Sequence, residues 1–351
     1  MNGEELEILF DNPYDSDYSS SDEHISSEPP SVSENLAAPW MSESTASIPN
    51  PAFRLHNELI EFFAYVSLDD KAILVRKEAI ERISDILRLI DGCVIQCFGS
   101  FELGLSLPFS DVDLVVIHPN ISPFELLRKA SDLLRSEDSP FEVEELFSAK
   151  VPILKLVDRK SLLRIDISDT RSNQSSMTEA IKQRLRAWPE AKFLIMPLKL
   201  ALRQREMNLT FTGGISPFLL TMMVLSFLAH FKEKKGLSDP SKRAGVSLAE
   251  YFIEFLFFWG QNFFYRTEEV ELSPLLDSAE FRRKQTPDDK LTIITPEKKE
   301  NSASGSFKAF NVLKLFRNRA FLMQGLAFVE KESVLKYLIN PSGKDFSAYL
   351  K

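Results

Sequence analysis

The chain has 351 residues, of which 51 are Asp or Glu and 42 are Lys or Arg, so its formal net charge is −9. Its residues are 44% apolar and 11% aromatic, a composition that excludes a collagen-like or wholly disordered protein. Two cysteines, Cys93 and Cys97, are too few for a disulfide framework or a zinc site. We interpret them as two small apolar side chains on one face of a strand.

The negative charge is concentrated at the N-terminus. Residues 1–50 contain eleven Asp and Glu and no Lys or Arg, so the rest of the chain has 40 acidic residues against 42 basic ones. Residues 1–48 are rich in Ser, Asp, Glu and Pro and have no sustained hydrophobic periodicity. We therefore predict a disordered acidic tail, followed by a chain that is close to neutral.

Hydrophobic periodicity predicts the elements in chain order. Helical spacing runs from Leu55 to Ile90 with a break at Ser67–Asp70, and Ser122–Ser136 is a further helix with Pro123 in its first turn. Short apolar or alternating segments predict strands. These strands are Val94–Phe98, Val112–Ile117, Glu142–Phe147, Val151–Val157 and Leu162–Ser168.

The second half of the chain is predicted to be mainly helical. The predicted helices are 177–187, 190–207, 215–233, 246–264, 307–322 and 328–339. The polar stretch 266–306 is punctuated by proline and is predicted to be mainly loop. Polar residues interrupt the apolar segment Ile215–Phe231, which is too short for a membrane span, so we expect a buried helix and no membrane partner. The fold class is α+β, a small mixed unit combined with a helical unit.

Three acidic residues and a Gly-Ser turn carry the chemistry. Gly99-Ser100 follows a strand and opens a helical turn, an arrangement that presents N–H groups and a hydroxyl to a phosphate. Asp111 and Asp113 begin an apolar strand and face one side of it, since side chains two apart on a strand point the same way. Asp166 is an acid on the polar side of a later strand. Carboxylates held together favour a hard cation such as Mg²⁺, and three of them suit two-metal phosphoryl or nucleotidyl transfer.

This joint pattern resembles the DNA polymerase β-like nucleotidyltransferase superfamily. Within it, the chain is similar to the nuclear poly(A) polymerases of the TRAMP complex, the DNA polymerase sigma family. The similarity runs from about residue 39 to residue 316. The motifs that carry it, in the family's order, are Leu55–Ile60, Gly99–Ser100, Asp111–Asp113, Val151–Leu156, Ile165–Ser168, Phe211–Ser216, Gly260–Phe263 and Asn301–Phe307.

The resemblance implies a nucleotidyltransferase palm, with a mixed sheet and flanking helices, and a mainly helical central domain of the poly(A) polymerase type. The palm would comprise residues 85–185. The central domain would comprise residues 49–84 and 186–351.

The resemblance also assigns roles to the candidate site residues. Asp111, Asp113 and Asp166 would be catalytic and would hold Mg²⁺ or Mn²⁺, with Asp166 helping to activate the RNA 3′-hydroxyl. The nucleotide-binding residues would be Gly99, Ser100, Lys199, Arg203, Ser216, Phe218 and Asn301. Lys199 and Arg203 share a helix face at i and i+4 and would contact the triphosphate.

Base recognition departs from the family pattern. The family usually has Ser-Tyr after the Thr-Gly-Gly-Ile-Ser motif, whereas this chain has Pro217-Phe218. Phe218 retains an aromatic face that can stack on a base. Asn301 matches the residue that reads the base edge, whereas Thr170 and Gln174 replace residues near the sugar.

The expected function is template-independent addition of AMP from ATP to RNA 3′ ends, which would tag nuclear RNAs for exosome processing or decay. RNA uridylyl transfer by the same fold is an alternative. A catalytically weakened binding subunit is another, motivated by Pro217, Thr170 and Gln174. A small-molecule nucleotidyltransferase shares the Gly-Ser and Asp-x-Asp motifs but does not explain Thr212–Ser216 or Asn301–Phe307.

The expected partners are the RNA 3′ end, ATP, a zinc-knuckle RNA-binding protein and an RNA helicase of a TRAMP-like complex, in the nucleus. The chain has no RNP aromatic motif, and its two cysteines cannot form a zinc knuckle. Removal of residues 1–48 is expected to leave catalysis intact.

The isolated chain is predicted to bind RNA weakly at physiological salt. Its nearly neutral body neutralises few phosphates, so counterion release contributes little to the binding free energy. Fluorescence anisotropy with a labelled oligo(A) at increasing salt measures this affinity. Tight binding by the chain alone at physiological salt would remove the need for an RNA-binding partner.

Overall fold

The computed structural model describes residues 38–149, 151–169, 174–236, 246–273, 278–296, 299–325 and 332–343. The acidic tail up to residue 37 lies outside this range, as does Thr170. The α+β fold class is confirmed by the elements described below.

Five strands of the described chain form a mixed sheet. They are β1 (Val94–Phe98), β2 (Val112–Ile117), β3 (Phe141–Leu146), β4 (Ile153–Asp158) and β5 (Arg164–Asp169), in the order β1-β2-β5-β4-β3. Only the β2–β5 pair is parallel. All five strands are confirmed within two residues of their predicted bounds. Alternation decides the faces, because Ile165 and Ile167 are buried whereas Asp166 between them is only half-buried.

Helices cover one face of this sheet. Helix α3 (Asp70–Leu87) and helix α5 (Pro123–Leu134) pack on the sheet with their apolar stripes. Ala79 and Ile83 of α3 belong to this core although they precede residue 85. The division into domains at residues 85 and 185 stays a prediction.

A larger apolar core joins the remaining long helices. They are α2 (Pro51–Val66), α6 (Gln174–Ala187), α7 (Ala191–Gln204), α8 (Pro217–Lys234), α9 (Leu248–Phe257) and α10 (Ala309–Gly325). The short helices α1 (Glu43–Ala46) and α4 (Gly99–Glu102) complete the set of described α-helices. None of the described helices is long and apolar enough to cross a membrane. Cys93 and Cys97 are free thiols, but the prediction that both lie on a strand is wrong for Cys93, which directly precedes β1.

Residues 38–48 are packed, so the prediction that disorder extends to residue 48 is wrong for this stretch. Trp40 is buried, and its ring meets the edge of Phe62 with centroids 5.2 Å apart. The guanidinium of buried Arg54 donates to the Ile48 carbonyl at 2.7 Å. Composition did not reveal this packing because a single tryptophan supplies most of the buried surface. Deletion of residues 1–48 would therefore remove part of the core.

The stretch 266–306 is not mainly loop, because it forms a second sheet. Strand β6 (Glu268–Leu272) pairs with β7 (Ala279–Arg283) in antiparallel fashion and with β8 (Ile293–Ile294) in parallel. Local pattern missed these strands because they are short and polar. Their pairing depends on buried Val270 and Ile293 and on an ion pair of 2.8 Å between Arg282 and Glu269.

Two predicted helices also end differently. The helix predicted to reach residue 264 ends at Phe257 and continues as a π-turn over Phe258–Asn262. Of the predicted helix 328–339, the described part contains only a 3₁₀ turn at Leu335–Tyr337. The apolar residues of 328–339 are spaced as in a helix. At the start of the 3₁₀ turn, the Val334 and Leu335 N–H groups donate to the side chain of Glu58 in α2.

Glu58 connects three separate parts of the chain. Its buried carboxylate accepts bonds from Trp40 Nε1 at 2.8 Å, from the Ser333 hydroxyl, and from the Val334 and Leu335 N–H groups at 2.8 Å and 3.2 Å. Both carboxylate oxygens therefore face donors. Glu58 thus binds the N-terminal segment and the C-terminal turn to α2.

The Glu58→Gln variant is predicted to lose about 1–3 kcal/mol of unfolding free energy, because the new amide group must face a donor in either rotamer. Urea or thermal denaturation measures the loss. The matched control is Glu81→Gln, since the Glu81 side chain is 65% exposed. Equal stability of the two variants would contradict a bracing role for Glu58.

Candidate active site

The parallel pairing of β2 and β5 brings two of the predicted acids together. Asp113 is the register partner of Asp166, so both side chains lie on the same face of adjacent strands. On the other side of β2, Asp113 pairs with Phe98, the last residue of β1. The Gly99 turn therefore begins directly beside the Asp113 carboxylate.

Gly99 is required by this close approach. Its φ is +70°, and a Cβ built on it would lie 2.4 Å from Asp113 Oδ2. Its N–H group donates to Thr178 Oγ1 at 3.2 Å, while the Ser100 and Ser106 hydroxyl oxygens are 3.0 Å apart. The predicted helical turn after β1 is confirmed as α4, and it opens against the acid pair.

The electrostatics of the acids suit a divalent cation. Burial, reinforced by the charges of Asp166 and Asp111, raises the pKa of Asp113 to about 7, although nearby Lys199 opposes the shift. Burial also raises the pKa of Asp166, against the opposing charge of Lys155. Among the described residues, no three His, Cys, Asp or Glu side chains form a preassembled metal centre. The donors are nevertheless carboxylate oxygens, which fit a hard cation such as Mg²⁺ or Mn²⁺.

Asp111 forms an ion pair with an arginine from β5. Arg164 Nε donates to Asp111 Oδ1 at 2.7 Å, and the same guanidinium donates to the Phe109 carbonyl at 3.3 Å. Buried Arg76 of α3 fixes the loop from the other side, donating to the Pro108 carbonyl at 2.7 Å. The two arginines thus set the position of the loop that ends at Asp111.

Helix α7 brings Lys199 and Arg203 to the same loop. Lys199 is buried, and its Nζ donates to the Leu105 carbonyl at 2.8 Å. Burial, with the charge of Arg203, lowers the pKa of Lys199 to about 8, against the opposing influence of Asp113. The Arg203 guanidinium lies 4.0 Å from the centre of the Phe109 ring. Near the acids, Lys199 thus contacts Leu105 and Arg203 contacts Phe109.

An open cleft of about 720 Å³ lies beside the acids. Asp111, Asp166 and Arg203 are among the residues that line it, together with Lys155 and Arg164. Lys155 is the register partner of Asp166 on the β4 side. The cleft therefore presents carboxylates and cations from β5, β4 and α7 to one space.

The predicted base-recognition motifs lie against each other. The Ser306 hydroxyl donates to the Gly214 carbonyl at 2.8 Å, and the Lys308 N–H donates to the Gly213 carbonyl at 2.9 Å. Gly213 has a φ of +87°, and the Phe307 ring covers it. The structure thus joins the 211–216 and 301–307 motifs, which are far apart in sequence.

The individual side chains of these motifs have structural partners. Ser216 caps α8, its Oγ accepting the Leu219 N–H at 3.1 Å, and Pro217 occupies the first helical position, where a missing N–H costs nothing. Phe218 is half-buried against the helical core. Asn301 Oδ1 accepts from the Ile293 and Ala303 N–H groups, and its Nδ2 donates to the Leu291 carbonyl at 2.9 Å. The side chain of Gln174 lies outside the described part of the chain.

Sequence reasoning gave no site role to Arg76, Lys155 or Arg164. Arg76 had a detectable signal, because it is a charged residue on the apolar stripe that contains Ala79 and Ile83. Lys155 lies within the Val151–Leu156 motif. The contact of Arg164 with Asp111 spans 53 positions and has no local signal.

Comparison with known proteins shows similarity to poly(A) RNA polymerases. Residues 55–183 match the family model of the poly(A) RNA polymerase, mitochondrial-like, central palm domain. The chain is 34% identical over 238 residues to the Drosophila melanogaster poly(A) RNA polymerase protein Trf4-2, which is named as inactive, covering 65% of this chain and 57% of that protein. It is 29% identical over 310 residues to poly(A) RNA polymerase protein 2 of Saccharomyces cerevisiae, covering 82% and 52%. The chain thus spans about half the length of these relatives.

A solved structure has the same fold. The polymerase core of TRAMP, an RNA surveillance complex, superposes with a TM-score of 0.72 and 26% identity, covering 84% of this chain and 96% of that one. The palm match spans Asp111, Asp113 and Asp166, and the sequence relatives and this structure are likewise those of RNA-tailing or RNA-surveillance polymerases. In sequence and in fold, the chain is therefore similar to TRAMP-type nucleotidyltransferases.

Proposed function

We propose that this chain transfers AMP from ATP to RNA 3′ ends without a template, using Mg²⁺ or Mn²⁺. The observation that carries the proposal is the pairing of Asp113 with Asp166 beside the Gly99 turn. In the reaction, the RNA 3′-oxygen attacks the α-phosphorus of ATP. A new phosphorus–oxygen bond forms, and the bond to the bridging oxygen breaks, releasing pyrophosphate.

The three acids and the Gly99 turn would have separate roles in the reaction. Asp111, Asp113 and Asp166 would hold the divalent cations, which when bound offset charge on the attacking and leaving oxygens. Asp166, which lines the cleft, would help to activate the 3′-hydroxyl. Ser100 and the Gly99 turn would bind the triphosphate.

Lys199 and Arg203 would contact the triphosphate from α7. With a pKa of about 8, Lys199 is mostly charged at neutral pH. A phosphate oxygen would replace the Leu105 carbonyl as its acceptor. Phe218 would stack on the base, and the loop that Asn301 braces would lie beside it.

The names of the relatives support a proposal for the cellular setting. We propose that the chain works in the nucleus within a TRAMP-like complex, with a zinc-knuckle RNA-binding protein and an RNA helicase, and tags RNAs for processing or decay. The nearly neutral body supports a partner that supplies RNA affinity.

A catalytically weakened subunit is the second candidate. The relative named as inactive, the Pro217 substitution and the engagement of Asp111 by Arg164 favour it. The presence of all three acids favours activity. A primer-extension assay of the purified chain, alone and with partners, distinguishes these two candidates.

Purified chain with Mg²⁺, ATP and an oligo(A) primer is predicted to give a ladder of extended products. Asp113→Asn should reduce the rate at least about 100-fold, because the charge that holds the cation is lost. Asp132→Asn, on the exposed side of α5, is the matched control. A comparison of the four NTPs tests uridylyl transfer, and no extension by the parent chain with or without partners would overturn the proposal.

Gly99→Ala is predicted to lower primer extension at least about tenfold, because the new methyl group would displace the Asp113 carboxylate. Gly104→Ala is the control, since Gly104 has a similar φ of +66° but no atom within 4 Å of an added Cβ. Both variants bear the strain of a positive φ, of order 1–2 kcal/mol. Equal activity of the two would show that the turn does not position Asp113.

A further inference from the structure

Arg164 forms an ion pair with Asp111, one of the three acids that would hold the metal. We propose that Arg164 is an internal competitor for the divalent cation at Asp111, so that a cation that binds Oδ1 displaces its guanidinium. The inference rests on the proposed use of a metal, and it assigns Arg164 the role of a positioning residue. It acts through Asp111 and sets the metal affinity of the site.

The geometry of the pair supports direct competition. Arg164 Nε is 2.7 Å from Asp111 Oδ1, the distance of a charge-assisted hydrogen bond. A carboxylate oxygen that accepts this bond directs a lone pair at the guanidinium, so binding a cation in the same direction requires the guanidinium to leave. The side chains of Arg164 and Asp111 are 57% and 40% exposed, so a cation from solvent can reach the pair.

The other two acids have different neighbours. Asp113 lies against Gly99 and is influenced by Lys199 of α7. Asp166 has Lys155 as its register partner across β4. The hydrogen bond of Arg164 is thus made to Asp111, whereas its effect on Asp166 is that of a nearby charge.

The loop around Asp111 does not depend on Arg164 alone. Arg76 donates to the Pro108 carbonyl from the protein interior, and Arg203 stacks on the Phe109 ring. After leaving Asp111, the Arg164 guanidinium retains an acceptor in the Phe109 carbonyl. A change at Arg164 is therefore expected to alter the competition while the loop keeps its other anchors.

The expected change in metal affinity is small because the Arg164 and Asp111 side chains are both exposed. Ion pairs between exposed side chains contribute little to stability, so the competition should change metal affinity by about two- to fivefold. An effect of this size is large enough to measure and small enough for millimolar cation to overcome.

Direct Mn²⁺ binding to the full chain without nucleotide tests the inference. Electron paramagnetic resonance counts free Mn²⁺ during a titration, and activity is not needed. Arg164→Gln is expected to bind Mn²⁺ about two- to fivefold more tightly than the parent. Damage to the fold would weaken binding, so tightening separates competition from a merely structural role.

Removal of any nearby positive charge also strengthens cation binding. A control variant must therefore separate the loss of charge from the loss of the Arg164–Asp111 hydrogen bond. Lys155→Gln removes a cation from the same cleft without touching Asp111. It should tighten Mn²⁺ binding less than Arg164→Gln does. An equal effect of the two variants would overturn the inference.

A double-mutant cycle isolates the Asp111 contact. In a chain that already carries Asp111→Asn, Arg164→Gln should increase the Mn²⁺ affinity only as much as Lys155→Gln does. An unchanged effect there, or weaker binding by Arg164→Gln alone, would overturn the inference and leave the proposed function standing. If Asp111→Asn abolishes binding, the comparison of Arg164→Gln with Lys155→Gln decides. No Mn²⁺ binding by the parent chain would overturn the inference, whereas primer extension would still decide the proposed function.

Discussion

The site depends on the register between two parallel strands. Pairing of β2 with β5 sets Asp113 opposite Asp166, although the two residues are 53 positions apart. Parallel strands place side chains of register partners on the same face, so the two carboxylates are held close by backbone hydrogen bonds. Buried isoleucines on either side of Asp166 fix this register, because a slip of one residue would expose them and bury the acid. The surrounding chain has to accommodate the resulting negative charge.

The neighbouring cations do so in two ways. Lys155 and Lys199 act on the acid pair through their charges, whereas Arg164 and Arg76 hold the loop that leads to Asp111. Helix α7 is the link between the helical core and this loop, through the contacts of Lys199 with Leu105 and of Arg203 with Phe109. The predicted phosphate-binding residues Lys199 and Arg203 are therefore already engaged with the loop that ends at Asp111. A triphosphate that binds them would have to replace protein contacts.

The departures from the family pattern have local physical explanations. Pro217 is compatible with the start of α8, because the first helical N–H has no partner within the helix. Asn301 braces the loop between β8 and α10 with three hydrogen bonds, so its amide organises the backbone near the base-recognition motif. These contacts preserve the scaffold of the site.

By itself, the sequence determined the strands of the five-stranded sheet, most of the long helices and the family resemblance, because period-two and helical spacing and the order of short motifs are local signals. Only the tertiary structure decided which side chains meet. The burial of Trp40 on Glu58, the second sheet within residues 266–306 and the Arg164–Asp111 contact all join residues distant in sequence. Such contacts depend on how the elements pack, and neither composition nor periodicity encodes a partner. The positions of Lys199 and Arg203 on one helix face were therefore predictable, whereas their contacts with Leu105 and Phe109 were not.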